Sequence, residues 1–231
     1  MNINKALTGC LLIFFVFFFS TNAFSAQKSS EKKADKDILV LNNISINKIK
    51  KEIRVNVKIA LERGILEYLL TGEHGKTHET VFKMADNMPS ELNFGLLLIG
   101  CEPMNYDAFI KLSQKGVAGF KELLKEHDKS VLDIKFEKNG KAFPASFFMR
   151  DRADSKLDLT WVFTGGYFLK GGRYTADMEL SYIGIWPDLN ALINLFSAQG
   201  NPYRGDFGFE INENNKKLKI DQDYVLVIKK R

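Results

Sequence analysis

From residue 38 onward, apolar side chains recur at every second position in short runs, the period of a strand with one buried face. Ile44 and Ile46, then Ile53, Val55, Val57 and Ile59, predict two half-buried strands joined near residues 47–52. Residues 64–72 and 76–84 predict a hairpin whose tip is Gly72-Glu73-His74-Gly75. Over residues 130–151 the dipeptide Asn139-Gly140 separates two alternating runs, and Asn-Gly readily adopts the positive φ angles of a two-residue hairpin turn. Residues 157–186 predict further strands separated by glycine turns, and residues 223–231 a closing strand.

The rest of the pattern is helical. Pro89 suits a first helical turn and Gly100 a helix end, so residues 87–100 predict a short buried helix. Phe109, Leu112, Phe120, Leu123 and Leu124 stand near helical spacing, while Gly116 and Gly119 weaken the middle of that stretch. Two short helices are expected there, and another over residues 187–196. The order of strands, helix, strands, helix, strand predicts a single α+β domain over residues 38–231, with a largely antiparallel sheet.

The segment before that domain is of another kind. Lys5 is the only charge in the first 26 residues, residues 11–19 are wholly apolar, and small residues surround positions 23–26. This is the three-part form of a secretory signal, and the apolar run is short for a membrane-spanning helix. We therefore expect cleavage between Ala23 and Ala26 and a periplasmic or secreted chain that meets the membrane only through its signal. Leu7 to Cys10 matches a lipoprotein box locally, but the apolar segment follows the cysteine instead of preceding it, which argues against lipidation. Residues 27–37 form a charged linker.

Export changes the cysteine arithmetic. Cys10 leaves with the signal, so Cys101 has no intramolecular partner, and neither an internal disulfide nor a four-cysteine iron–sulfur cluster is expected. The formal charge is +5, with lysines interleaved among glutamates and not gathered into a stripe. Nucleic acid is not an expected partner on that pattern. A small ligand or an envelope protein is.

Residues 64–100, with Gly64-Ile65-Leu66-Glu67, then Lys76-Thr77-His78-Glu79 ahead of a Leu-rich helix, resemble the YdjY-like family of exported bacterial proteins. So do residues 161–195, with an aromatic–Gly pair followed by Tyr174-Thr175-Ala176-Asp177. The resemblance covers under half of the mature chain. It implies an extracytoplasmic home and no established activity, and it draws Asp177 into the set of candidate ligand-binding residues. Residues 104–128 depart from the family pattern and are expected to form a peripheral helical insertion.

The candidate chemistry concentrates in residues 71–82. If the hairpin tip has an even number of residues, Glu67 and His78 share a face and lie diagonally across the two strands. Glu67 falls between Ile65 and Leu69 on an otherwise apolar side, where a carboxylate needs a partner. A Glu67–His78 pair would orient the imidazole and raise its basicity, as general-base or ligand-binding work requires; alternatively the two groups only satisfy each other and fix strand register. Lys76 and Glu79 would lie on the opposite face or edge. His78, Glu79 and Cys101 are competent ligands for a divalent metal, although no pair has diagnostic spacing. His74 and His78 are four apart, but Gly72 and Gly75 argue against the helix that would align them, and His127 is remote in sequence. Asp177 is otherwise a strand-end carboxylate capping a turn, and Arg204 with Asp206 a surface ion pair. Three readings follow: a ligand- or metal-binding module, an enzyme using Glu67 and His78 with Asp177, or an accessory subunit docking an envelope partner.

Overall fold

The computed structural model describes residues 37–153, 159–196, 208–214 and 218–231; the expected signal, most of the linker, and Arg204 with Asp206 lie outside them. Fourteen strands are present among the described residues. They are β1 (Ile38–Leu41), β2 (Ile44–Asn47), β3 (Glu52–Ile59), β4 (Ile65–Leu66), β5 (Tyr68–Gly72), β6 (Thr80–Met84) and β7 (Val131–Lys138). There follow β8 (Lys141–Pro144), β9 (Met149–Asp151), β10 (Trp161–Phe163), β11 (Ser181–Gly184), β12 (Ile193–Leu195), β13 (Phe209–Ile211) and β14 (Asp223–Lys230). Four helices accompany them: α1 (Pro89–Leu98), α2 (Tyr106–Gln114), α3 (Val117–Glu126) and α4 (Thr175–Glu179).

The expected α+β domain with a largely antiparallel sheet is overturned: the described residues are mostly β, and the sheet closes on itself. Strands β3, β14, β7, β10, β12, β11, β5 and β6 pair in that order, and β6 returns to β3, so eight strands close into a barrel. The closing seam is narrow. The edge of β3 is divided: its first half pairs with β2, and only Lys58 and Ile59 pair with Lys83 and Phe82 of β6. Strands β1, β2 and β8 extend the sheet outside the barrel, and β4, β13 and β9 form a separate three-stranded sheet. Alternation along a strand dictates which face is buried but not which strand lies beside it, so closure is not written in the period.

Eight strands enclose a space that side chains can fill. Ile53, Val55, Val57 and Ile59 of β3 join Tyr224, Leu226 and Ile228 of β14 in the main apolar core. Phe82 of β6 stacks on Phe136 of β7 at 4.2 Å between centroids and meets Phe148 edge-on at 4.9 Å. The β7–β8 hairpin turns on Asn139 (φ 50°) and Gly140 (φ 74°), as its sequence predicts.

Pro89 opens α1 as expected, and Leu92 and Leu96 are fully buried. Gly95 lets the helix approach closely, since a Cβ there would lie 3.1 Å from Ile46 and Ile53. The helix is not buried all round, however: Phe94, Leu97 and Leu98 remain exposed. Gly116 (φ 57°) divides α2 from α3, and the two helices build a second small core with Met104, Val131 and Val162. Val162 belongs to this cluster while its neighbours Trp161 and Phe163 belong to the main one, so the helical element packs on the outer face of β10, as a peripheral insertion should. The expected helix over residues 187–196 is not formed. Those residues make a turn at Asp188 and then β12.

Candidate functional site

The expected hairpin over residues 64–84 is replaced by a less common arrangement. Strands β5 and β6 are parallel, with Tyr68 opposite Thr80 and Leu70 opposite Phe82. On the other side of β5, β11 runs antiparallel to it, and β11 and β12 are again parallel. Parallel neighbours usually need a crossover of a dozen or more residues. Here the chain returns through two short loops, residues 73–79 and residues 185–192. The first is tightly built at its start: Gly75 N–H donates to the Gly72 carbonyl (2.9 Å), and a Cβ on Gly72 would lie 2.8 Å from the Leu180 side chain.

Both loops grip one peptide. The Glu67 N–H donates to the Glu79 carbonyl (3.0 Å), while the Glu67 carbonyl accepts from Ile185 N–H (2.7 Å) and Trp186 N–H (3.0 Å). Glu67 thus stands where the two crossovers meet. Its carboxyl is raised above the ordinary carboxylate range by burial and by the Glu79 carboxylate hydrogen-bonded to it, with Asp188 adding to the effect and Lys76 opposing it. A neighbouring carboxylate disfavours the charged form, so Glu67 gives up its proton less readily than a free carboxyl.

Tyr68 lies behind this pair. Its hydroxyl donates to Asp188 Oδ2 (2.7 Å) and accepts from Lys76 Nζ (2.9 Å), whose ammonium also sits 5.1 Å from the centre of the ring. Burial and the Asp188 carboxylate push the phenol far above its usual value, so it serves as a fixed neutral donor. Asp188 is itself fixed. Its Oδ1 accepts from Asn190 N–H (2.9 Å), its N–H donates to Asn194 Oδ1 (2.8 Å), and its carbonyl accepts from Asn194 Nδ2 (3.0 Å). Asn194 is fully buried and also donates to Thr164 Oγ1 (2.8 Å). Gly184 permits this approach, because a Cβ there would lie 2.9 Å from Asn194 Oδ1.

Of the residues singled out in the sequence, Glu67, Lys76 and Glu79 come together. His78 does not complete the expected pair with Glu67: its side chain is 78% exposed, and its Nε2 lies 3.9 Å from Glu79 Oε2. The strands are parallel, so the diagonal relation that would have joined Glu67 and His78 is absent. Asp177 sits on α4, where its Oδ1 accepts from Ser90 N–H (2.7 Å) in the first turn of α1; it is a cap, though for a helix and not for a turn. Cys101 is buried at the end of α1, where burial pushes its thiol up to about 11 against a smaller opposing effect of Lys230. Among the described residues no group of three or more His, Cys, Asp and Glu side chains is arranged to hold a metal. His74 lines a separate groove with Met84, Met88 and Leu180.

Tyr68 and Asp188 are the members that sequence reasoning missed. Tyr68 passes for a core residue of its strand. Asp188 carries only a weak signal: an Asp side chain can accept from the backbone N–H two residues on, as it does from Asn190, but the same contact also caps helices. Comparison with protein-family models, curated proteins and solved structures returned no match.

Proposed function

We propose that the protein is an exported binding module for a small ligand, and that the ligand engages the Glu67–Glu79 carboxyl pair at the junction of the two crossover loops. The observation that carries this reading is the pair itself. Two carboxyl groups held in contact cost stability near neutral pH, and proteins retain such pairs where function needs them. A ligand that donates hydrogen bonds would relieve the repulsion between the two carboxyls, with Lys76 able to hold an electronegative group beside them. The two segments similar to the YdjY-like family supply β5, β6, β10, β11 and β12, which are consecutive neighbours in the barrel, together with both crossover loops. That contiguity supports reading the resemblance and the site as one unit.

The test is a thermal-shift panel of amines, amino acids, sugars, carboxylates and divalent cations, run on the wild type and on Glu67→Gln and Glu79→Gln. The reading expects at least one class to raise the wild-type Tm by several degrees, with that response lost in both variants. A panel without effect on the wild type, or one whose effects survive both substitutions, overturns it. A second reading, an accessory subunit that docks an envelope protein, draws on the exposed outer face of α1 with Phe94, Leu97 and Leu98.

A further inference from the structure

A second concave site lies beside the first, and the second crossover loop contributes to both. It is a groove of about 490 Å³, within the usual size of small-molecule sites. Three separate elements form its walls: Met104, Tyr106 and Asp107 at the start of α2, Thr164 and Tyr167 in the turn after β10, and Leu189 in the crossover loop. Tyr167 is 46% exposed and Leu189 39%, so aromatic and apolar surface is open to a ligand.

The chemistry of the lining narrows the ligand. No lysine, arginine or histidine is among the lining residues, although the whole chain is basic. Two polar groups are already engaged. Asn105 Oδ1 accepts from Ala108 N–H (3.2 Å) as the cap of α2, and the Thr164 hydroxyl is bonded to Asn194 (2.8 Å) and the Leu192 carbonyl (3.2 Å). The side-chain groups left to meet a ligand are the Asp107 carboxylate, the two tyrosines and the Asn105 amide nitrogen. Asp188, next to Leu189, adds a second negative charge close to Tyr106, whose phenol is raised first by burial and then by Asp188 and Asp107.

An anion would be repelled here, and a sugar would find few free hydrogen-bonding groups. A bare metal ion would lack a third protein ligand of the usual kinds. An organic cation meets both features, because an ammonium is attracted to carboxylates and to tyrosine faces while its carbon substituents bury against Met104 and Leu189. We propose that the groove between Tyr106, Tyr167, Asp107 and Leu189 binds a small organic ammonium ligand. This goes beyond the binding-module reading by adding a second ligand site, and it does not depend on a ligand at the carboxyl pair.

The wall is preformed. Gly165 (φ 82°) and Gly166 (φ 66°) turn the chain after β10, and a Cβ on Gly166 would lie 2.9 Å from the Tyr174 hydroxyl. The Tyr174 hydroxyl donates to the Gly165 carbonyl and fixes that turn.

The experiment is an NMR titration with choline, tetramethylammonium and 3,3-dimethylbutanol, the last being an uncharged analogue of choline with nearly the same shape. Choline and tetramethylammonium should perturb the resonances of Tyr106, Tyr167 and Leu189, with the neutral analogue about tenfold weaker or more. Tyr167→Ala and Asp107→Asn should each weaken choline binding by about three- to tenfold. Tyr167 is 46% exposed and bonds Thr175 through its backbone carbonyl, so removal of its ring is expected to spare the fold. Equal affinity for the neutral analogue, or no perturbation at these residues, overturns the proposal. Choline binding that survives Tyr167→Ala and Asp107→Asn but is lost in Glu79→Gln also overturns it, and leaves the carboxyl-pair reading standing.

Discussion

Two clusters of carboxylates sit on this barrel and behave in opposite ways. On the outer face of β3, β14 and β7, Arg54 bridges Glu137 (2.6 Å) and Glu52 (3.2 Å), Lys135 also holds Glu137 (2.8 Å), and Lys229 holds Glu52 (3.0 Å). Each acid there has two cationic partners. Glu137 is lowered to about 2 by Lys135 and Arg54, and Glu52 is lowered by Lys229 and Arg54 in spite of its burial. At the crossover junction, Glu67 and Glu79 face one another with Lys76 as the nearby cation, and Glu67 is raised. The first cluster stabilises the fold, and the second works against it. Residue type does not separate a structural carboxylate from a functional one; the sign of its surroundings does.

The largest expected difference concerns what each cluster rests on. Asn194 is buried and makes two hydrogen bonds to Asp188 and a third to Thr164, so Asn194→Ala should cost about 2–3 kcal/mol in urea denaturation. Arg54 is partly exposed, so Arg54→Met should cost only about 1 kcal/mol, and that cost should shrink as salt is added. An Arg54 effect exceeding that of Asn194 would break the contrast. Glu79→Gln should go the other way and stabilise the protein at pH 7 by about 0.5–1 kcal/mol, a modest gain because the pair is partly open to solvent. Smallest of all is His78→Gln, expected within about 0.5 kcal/mol of wild type because the ring is exposed.

The two clusters also predict opposite dependences on pH. The folded pKa of Glu137 lies below its ordinary value of 4.5, so its contribution is present above that value and is lost as pH falls toward about 2. The folded pKa of Glu67 lies above 4.5, so the fold is favoured below that value and loses stability as pH rises through the folded pKa. Stability followed by chemical denaturation should therefore climb from pH 2 to about 4.5 and then dip. The dip should shrink in Glu79→Gln, with the part due to burial of Glu67 remaining, and the climb should weaken in Arg54→Met.

Much of this architecture could be read from local pattern. The alternation at Ile53, Val55, Val57 and Ile59 marks the inward face of β3, Asn139-Gly140 marks a hairpin, and Pro89 and Gly116 mark helix boundaries. What local pattern does not contain is neighbour identity. The parallel pairing of β5 with β6, and of β11 with β12, depends on how the two loops pack around Glu67, and the closure of β6 on β3 rests on two residue pairs. The site divides in the same way. The sequence marks Glu67, Lys76 and Glu79 as candidates, but the hairpin it predicts pairs Glu67 with His78 and puts Lys76 and Glu79 on the opposite face or edge; only the parallel pairing of β5 with β6 brings Glu79 to Glu67. Tyr68 meets Asp188 across 120 positions, and only the fold joins them.

The central claim is that burial and the Glu79 carboxylate together hold the Glu67 carboxyl above its ordinary range where the crossover loops meet. Carbon-detected NMR titration of the Glu67 side-chain carboxyl tests it most directly. The account predicts a Glu67 pKa above 4.5 that falls back toward 4.5 in Glu79→Gln. A Glu67 pKa at or below 4.5 that does not respond to Glu79→Gln would contradict it.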